Sequence, residues 1–385
     1  MTPPRTQTPP PPFPWLSAKG KGAGGIGFLL LLLSLLPAAD WPSWRGNPQQ
    51  TGLAQGKLSD NLKRIWSFKT GKKTVSTPVV SGGVAYFGSG DRNVWAIALA
   101  TGKPLWSFAT SNAVDAPGLL VGETLFIGGS DGNFFALDAK KGTLRWKSLL
   151  DGQIMGAPGL LVRGNSPLIL FGAYDNALHA YDPSGKKKWS FPVDNYINGA
   201  PAVDGNRIAF GGCDGFLRVL SEDGKALASV DAGAYLPASP ALSEGFAYFG
   251  NHAGKLLAVN LAKGQIVWQV GDEDAGPFFS SPAVGAASVL AGSRDNRLHC
   301  LNRASGKKKW VFLARGGIDS SPVLVSDRVV FGSMDGSVYS LRLTDGSVAW
   351  SYDTGARITG SPAVVDGLLL IAAEDGTLYA FGGPK

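Results

Sequence analysis

A proline preceded by a small residue recurs along this chain at Thr77-Pro78, Ala116-Pro117, Ala157-Pro158, Ala200-Pro201, Ser239-Pro240, Ser281-Pro282, Ser321-Pro322 and Ser361-Pro362. Successive prolines are 39, 41, 43, 39, 42, 40 and 40 residues apart. That period is the one expected of a four-stranded propeller blade, a unit that cannot bury its own faces and is stable only between neighbours. Length alone, 385 residues, would allow two or three domains. The repeats argue instead for an all-β protein, a single eight-bladed propeller of four-stranded blades over residues 62 to 385.

Each unit has the same internal order, seen in the first as Pro78-Val79-Val80, Val84 to Gly88, Asp91-Arg92-Asn93, Val94 to Leu99, then Thr101-Gly102-Lys103 and Trp106. Short apolar runs bounded by Gly, Asp, Asn and Pro are strands joined by tight turns, because those residues supply the dihedrals that turns need. Four residues after the turn aspartate come Trp95, Phe135, His179, Arg218, Leu257, His299, Tyr339 and Tyr379. The next position holds Ala96, Ala136, Ala180, Val219, Ala258, Cys300, Ser340 and Ala380. Bulky facing small predicts a third strand packed on both sides, as stacked blades require.

The last unit ends at Phe381-Gly382-Gly383-Pro384-Lys385 and has no tryptophan strand. Leu62 to Phe68 matches the missing piece in type, so this N-terminal strand is expected to close the ring and remove its free edges. Ile65, Trp66 and Phe68 are then all expected to be buried. Residues 40 to 61, with Trp41-Pro42-Ser43-Trp44-Arg45-Gly46, form a lead-in expected to drape over the ring, with 40 to 55 removable at little cost.

Residues 1 to 39 place Arg5, Lys19 and Lys21 before a leucine-rich core, Phe28 to Leu36, followed by Ala38 and Ala39. This is the order of a secretory signal peptide, with a retained membrane anchor as the other reading. Export to the periplasm or outside the cell follows, with membrane contact only through this segment or a partner. Losing those three cations would lower the net charge from +7. The basic runs Lys186 to Lys188 and Lys307 to Lys309 lie in turns and read as solvated surface, so nucleic acid is not an expected partner. The two cysteines, Cys213 and Cys300, are too few and too far apart in the units for a disulfide framework.

The turn before each tryptophan reads Ala96-Ile97-Ala98-Leu99-Ala100-Thr101-Gly102-Lys103-Pro104-Leu105-Trp106 and Ala136-Leu137-Asp138-Ala139-Lys140-Lys141-Gly142-Thr143-Leu144-Arg145-Trp146, with similar copies ending at Trp189, Trp268, Trp310 and Trp350. The repeat resembles that of pyrroloquinoline-quinone-like propellers. The resemblance implies that Trp66, Trp106, Trp146, Trp189, Trp268, Trp310 and Trp350 dock between neighbouring blades. Ala228 stands where the fourth unit should have tryptophan, so that junction is expected to be looser. The family includes quinone-dependent dehydrogenases and non-catalytic scaffolds such as the propeller component of the outer-membrane barrel assembly machinery. Adjacent cysteines of the kind many of the dehydrogenases carry beside their cofactor are absent here.

Weighed residue by residue, the sequence offers no catalytic constellation. His179 and His299 sit in the packing column, His252 lies in a loop, and no HExxH or Gly-x-Ser-x-Gly occurs. The aspartates at 91, 131, 175, 214, 295, 335 and 375 stand where tight turns favour Asp, so they read as turn residues rather than calcium ligands. The loops linking successive blades carry apolar residues four before the proline in most units, Ile154, Ile197, Leu236, Phe278, Ile318 and Ile358, which are expected to pack around the channel. Beside them a more variable set, Lys73, Asn112, Gln153, Met155, Tyr196, Asn198, Tyr235, Phe279, Asp319 and Arg357, has the composition of a recognition surface, with Lys73, Met155, Tyr196, Tyr235, Phe279 and Arg357 as the partner-binding candidates. The expectation is a monomeric, exported scaffold that binds a protein or peptide in the cell envelope and needs no catalytic residue, metal or cofactor. Pyrroloquinoline quinone is suggested only by the resemblance. The alternatives are a quinone-dependent redox enzyme and a carbohydrate- or polymer-binding module.

Overall fold

The computed structural model describes residues 40–164, 166–271 and 275–384. The signal or anchor expected at residues 1–39 lies outside them. Among the described residues no helix is long and apolar enough to cross a membrane.

The strands form eight antiparallel meanders, each beginning just after a small-Pro pair. Blade one is Val79–Ser81, Val84–Ser89, Asn93–Ala98 and Pro104–Ala109. Blade two is Leu119–Val121, Thr124–Gly128, Asn133–Asp138 and Leu144–Leu149. Blade three runs from Gly159–Leu161 to Lys187–Pro192, blade four from Ala202–Asp204 to Ala226–Asp231, and blade five from Ala241–Ser243 to Gln265–Val270. Blade six runs from Ala283–Val284 to Lys308–Leu313 and blade seven from Val323–Val325 to Val348–Asp353. Blade eight takes Ala363–Val365, Leu368–Ala372 and Thr377–Gly382 from the C-terminus and Lys63–Lys69 from the N-terminal side, with Trp66 opposite Ala380 and Phe68 opposite Leu378. The ring is closed by that pairing.

The closing strand differs from expectation at two residues, Phe68, which is half-buried, and Ile65. Its register shifts between Arg64 and Trp66, a β-bulge that turns Ile65 outward and leaves it 43% exposed, while Trp66 is buried. Other outer strands shift at the equivalent place, just before Trp106, Trp146 and Trp310. The residue before the tryptophan is therefore an exposed bulge position.

Two packing devices repeat between blades. Each linker aliphatic, such as Ile154, Ile197 or Ile358, is fully buried against a glycine at or next to the end of a second strand: Gly128, Gly172 and Gly332 respectively. The tryptophans cross in the outer part of the blades. Trp106 Nε1 donates to Ala139 O at 2.9 Å and its ring covers Gly142, whose φ of 69° and close contact leave no room for a side chain. Trp66, Trp146, Trp268 and Trp310 repeat the bond to Leu99, Pro183, Arg303 and Leu343 at 2.7, 2.9, 3.0 and 3.0 Å. Trp189 covers Gly224 with its Nε1 buried and unpartnered. Where Ala228 replaces the indole, its methyl approaches Gly264 and blades four and five still share one buried cluster.

The lead-in does not drape over the ring; it lines the inside of the channel along the innermost strands. Trp41 exchanges 2.8 Å backbone bonds with Val80 of blade one, and Leu120 of blade two donates to Pro42 O at 2.7 Å. Val203, Leu242, Val284 and Leu324, from blades four to seven, then donate to the carbonyls of Pro48, Gln49, Thr51 and Gly52 at 2.8, 2.8, 2.9 and 2.8 Å. Leu53–Ala54 continues as a parallel strand beside Val323–Val325. A segment bonded in turn to the innermost strands of blades one, two, four, five, six and seven runs round the inner wall of the channel. Arg45 anchors it, 1% exposed, donating to Pro322 O at 2.6 Å and Pro282 O at 2.8 Å. Burial pulls its guanidinium down to about 9, because no carboxylate offsets the lost hydration.

Candidate functional site

The lead-in lines the channel at the level of the inner strands, and a funnel of about 800 Å³ opens on the face where the blade-linking loops lie. Trp44 is the lead-in residue lining it, and the small-Pro pairs form the inner wall. Eight equivalent backbone bonds hold this face together, one per blade, in which a second-turn N–H donates to a linker carbonyl; Gly90 to Lys73 O and Glu374 to Arg357 O, at 2.9 and 2.8 Å, are two of them. The linker side chains are thereby fixed as a rim.

The six residues expected at this surface fall on it in two groups. Lys73, Met155, Phe279 and Arg357 line the funnel. Tyr196 and Tyr235 stand in the rim outside that lining. Tyr196, 46% exposed, stacks on Tyr174 with centroids 4.6 Å apart. Tyr235 stacks on His252 at 4.1 Å, and His252 meets Phe279 edge-on at 5.9 Å. The Arg294 guanidinium lies 3.6 Å from the Phe279 ring centroid and forks onto Asp319 at 2.9 and 2.8 Å. Tyr235, His252, Phe279, Arg294 and Asp319 thus form one continuous stack along the rim of blades five to seven. His252 is engaged in it rather than free.

The charges around the funnel are partly committed. Lys73 pairs with Glu374 at 3.1 Å, and Arg357 donates to Met334 Sδ at 3.1 Å. Asp115 has no hydrogen bond or ion pair within the described residues; burial pushes its carboxyl up, opposed by nearby Lys73. Asn198 donates to Cys213 Sγ at 3.1 Å and leaves its Oδ1 buried without a partner.

The turn aspartates are occupied by their own blades. The side chain four residues on donates to the carboxylate: Trp95 to Asp91 at 3.1 Å, His179 to Asp175 at 2.9 Å, Arg218 to Asp214 at 2.8 Å and Tyr339 to Asp335 at 2.8 Å. Asp295 likewise meets His299 at 3.2 Å. The bulky column is therefore also a donor column. Among the described residues no three of His, Cys, Asp or Glu stand together as a metal site. Asp115, Asp319 and Glu374 lie on different blade junctions of the funnel, so this donor set does not fit a quinone held through a metal ion. Both cysteines are free, and burial raises the Cys300 thiol to about 11.

Sequence reasoning placed Asn198 and Asp319 on this face but missed Trp44, Asp115 and Arg294. Trp44 carried a signal, an aromatic in a polar lead-in. The others sit at positions that vary from unit to unit, where a repeat gives no expectation.

The blades, their tryptophan junctions and the funnel define an eight-bladed propeller of pyrroloquinoline-quinone-like repeats. The chain belongs to the family described as outer membrane protein assembly factor BamB, whose model matches residues 59–157, 157–272 and 272–383. A search of curated protein sequences finds no match. Among solved structures the chain is similar to BamB from Moraxella catarrhalis, with a TM-score of 0.69 and 19% identity over 84% of this chain and 98% of that one. It is also similar to a europium-containing methanol dehydrogenase, with a TM-score of 0.75 and 14% identity over 90% and 98%. A third is the computationally designed protein Ika8, with a TM-score of 0.73 and 16% identity over 83% and 100%. At these identities the likeness is one of fold, and a fold shared by such different proteins does not choose a function.

Proposed function

We propose that the protein is an exported, monomeric, non-catalytic scaffold of the cell envelope that binds a protein or peptide partner on the funnel face. The stack Tyr235–His252–Phe279–Arg294–Asp319 carries this reading. Large rings and a guanidinium held in place by one another present contact area without the entropy of ordering it on binding, which is how interface hot spots are built. Family membership supports a protein partner in general terms.

The test is capture from an envelope extract on the immobilised protein, followed by titration with the purified partner. Alanine at Tyr196, Tyr235, Phe279 or Arg357 should weaken binding by about 1–2 kcal/mol each with melting nearly unchanged, while alanine at Lys187 or Lys308 should leave it intact. Loss of binding through the lysines alone would place the surface on the other side of the ring. A melting shift of several degrees with pyrroloquinoline quinone and calcium, together with dye-linked turnover, would favour a redox enzyme instead.

A further inference from the structure

The small residue before each proline is not the same around the funnel. It carries a hydroxyl at Ser239, Ser281, Ser321, Ser361 and Thr77 and is alanine at the remaining three positions. All five hydroxyl residues line the funnel, and none is more than 5% exposed. Each oxygen accepts a backbone N–H from the preceding blade: Ala200 to Ser239 at 2.6 Å, Ser239 to Ser281, Ser281 to Ser321 and Ser321 to Ser361 at 2.9 Å, and Ser361 to Thr77 at 3.1 Å. Accepting leaves the O–H of each free to donate. Among the described residues none of the five donates a hydrogen bond.

A buried O–H with no acceptor is costly, and several along one wall form an array that only an acceptor can satisfy. Arg357, four residues before Ser361, stands at the same side and has Met334 Sδ as its partner rather than a carboxylate. The far side of the funnel has the opposite character, with the unpaired Asp115 carboxylate and the orphaned Asn198 Oδ1. The arc side also carries the Asp319 and Glu374 carboxylates, but these are paired with Arg294 and Lys73, so the unpartnered donors of the arc face the unpartnered acceptors across one cavity.

We propose that the hydroxyl arc and Arg357 form a carboxylate-binding site that takes the free C-terminus of a peptide. A carboxylate has two oxygens able to accept several charge-assisted hydrogen bonds, and the N–H groups that precede it in a peptide suit acceptors such as Asp115 and Asn198. The inference rests on the peptide-binding reading and specifies which end of the partner enters.

The experiment uses the full chain, immobilised, and a pool of random synthetic decapeptides prepared as free acids and, separately, as C-terminal amides, with glucuronate as a competing carboxylate. Retained peptides are measured by mass spectrometry. Free acids should be retained at least tenfold over amides, and glucuronate should displace them weakly. Arg357→Gln, at an exposed position, should reduce the preference severalfold; Ser321→Ala combined with Ser361→Ala should abolish it in protein whose melting shows it folded. Equal retention of acids and amides overturns the carboxylate site while leaving peptide binding standing. Retention of neither form overturns both. Tight glucuronate binding without peptide retention would assign the site to acidic sugars, and a preference unchanged in Arg357→Gln and the serine pair would place it elsewhere.

Discussion

Trp350 and Leu62, 288 positions apart, are joined by a 2.9 Å hydrogen bond from the indole Nε1 to the carbonyl oxygen. It is the same bond that ties Trp66 to Leu99 across 33 positions. At the last junction the turn that should receive the indole is split between the two ends of the propeller, and Leu62 supplies the acceptor. Ring closure therefore reproduces the ordinary blade junction as well as the strand pairing.

The closing strand should accordingly behave as core. Trp66→Ala should destabilise by about 3–5 kcal/mol, the cost of truncating a buried aromatic, whereas Trp66→Phe should cost about 1–3 kcal/mol, the penalty for leaving the Leu99 carbonyl buried and unpaired. Ile65→Ala, at the exposed bulge, should be near neutral. Urea midpoints of the three variants check the order, and an Ile65 effect as large as that of Trp66 would contradict the bulge.

Removing residues 40 to 55 should be severe. The deletion strips backbone partners from Val80, Leu120, Val203, Leu242, Val284 and Leu324. Buried donors left unpaired cost about 1–3 kcal/mol each, so the truncated chain should be recovered aggregated. Arg45→Ala alone orphans the carbonyls of Pro282 and Pro322 and should lower the melting temperature clearly. A soluble truncation with an unchanged melting curve would refute the bonding of the lead-in to the innermost strands.

What was legible in the sequence follows the repeat. Blade number, strand limits, the closing strand and the tryptophan junctions all rest on residue types that recur in register. The lead-in was misjudged because its ties are main-chain carbonyls, which leave no mark in side-chain identity. Ile65 was misjudged because a bulge shifts the inside-outside alternation by one place. The donor role of Trp95, His179, Arg218, His299 and Tyr339 was hidden by sorting residues on size, although all five carry an N–H or O–H. In the same way, grouping Ser239 and Thr77 with Ala157 as small obscured the hydroxyl arc. The rim stack joins residues from neighbouring blades, and no spacing within one unit could reveal it.

His179 should make stability fall in mild acid. Burial holds its imidazole below the ordinary range, against the upward pull of Asp175. Between pH 6.5 and that lowered value the unfolded chain binds the proton that the folded one resists, so this contribution is complete above about pH 6.5 and is lost as pH falls. Urea midpoints at pH 7.5 and 5.5 should drop for the native chain and drop less for His179→Gln. An equal drop in both would assign the effect to other groups.

Asp295 should act in a lower window. Burial raises its pKa, but the bonds from His299 and the Arg297 N–H outweigh that and hold the carboxyl below the ordinary range. A depressed carboxylate stabilises the fold above the unfolded value of about 4 and loses that contribution as pH falls through the folded value. Asp295→Asn keeps an oxygen for the Arg297 N–H but removes the charge and the second acceptor that meets His299 and the Arg297 guanidinium. It should cost about 1.5–3 kcal/mol at pH 7, the range for hydrogen bonds to a charged group, and progressively less as pH falls through the folded value and the native aspartate takes up its proton. A penalty that stays constant from pH 7 to 2 would show that packing, and not charge, accounts for the aspartate at this turn.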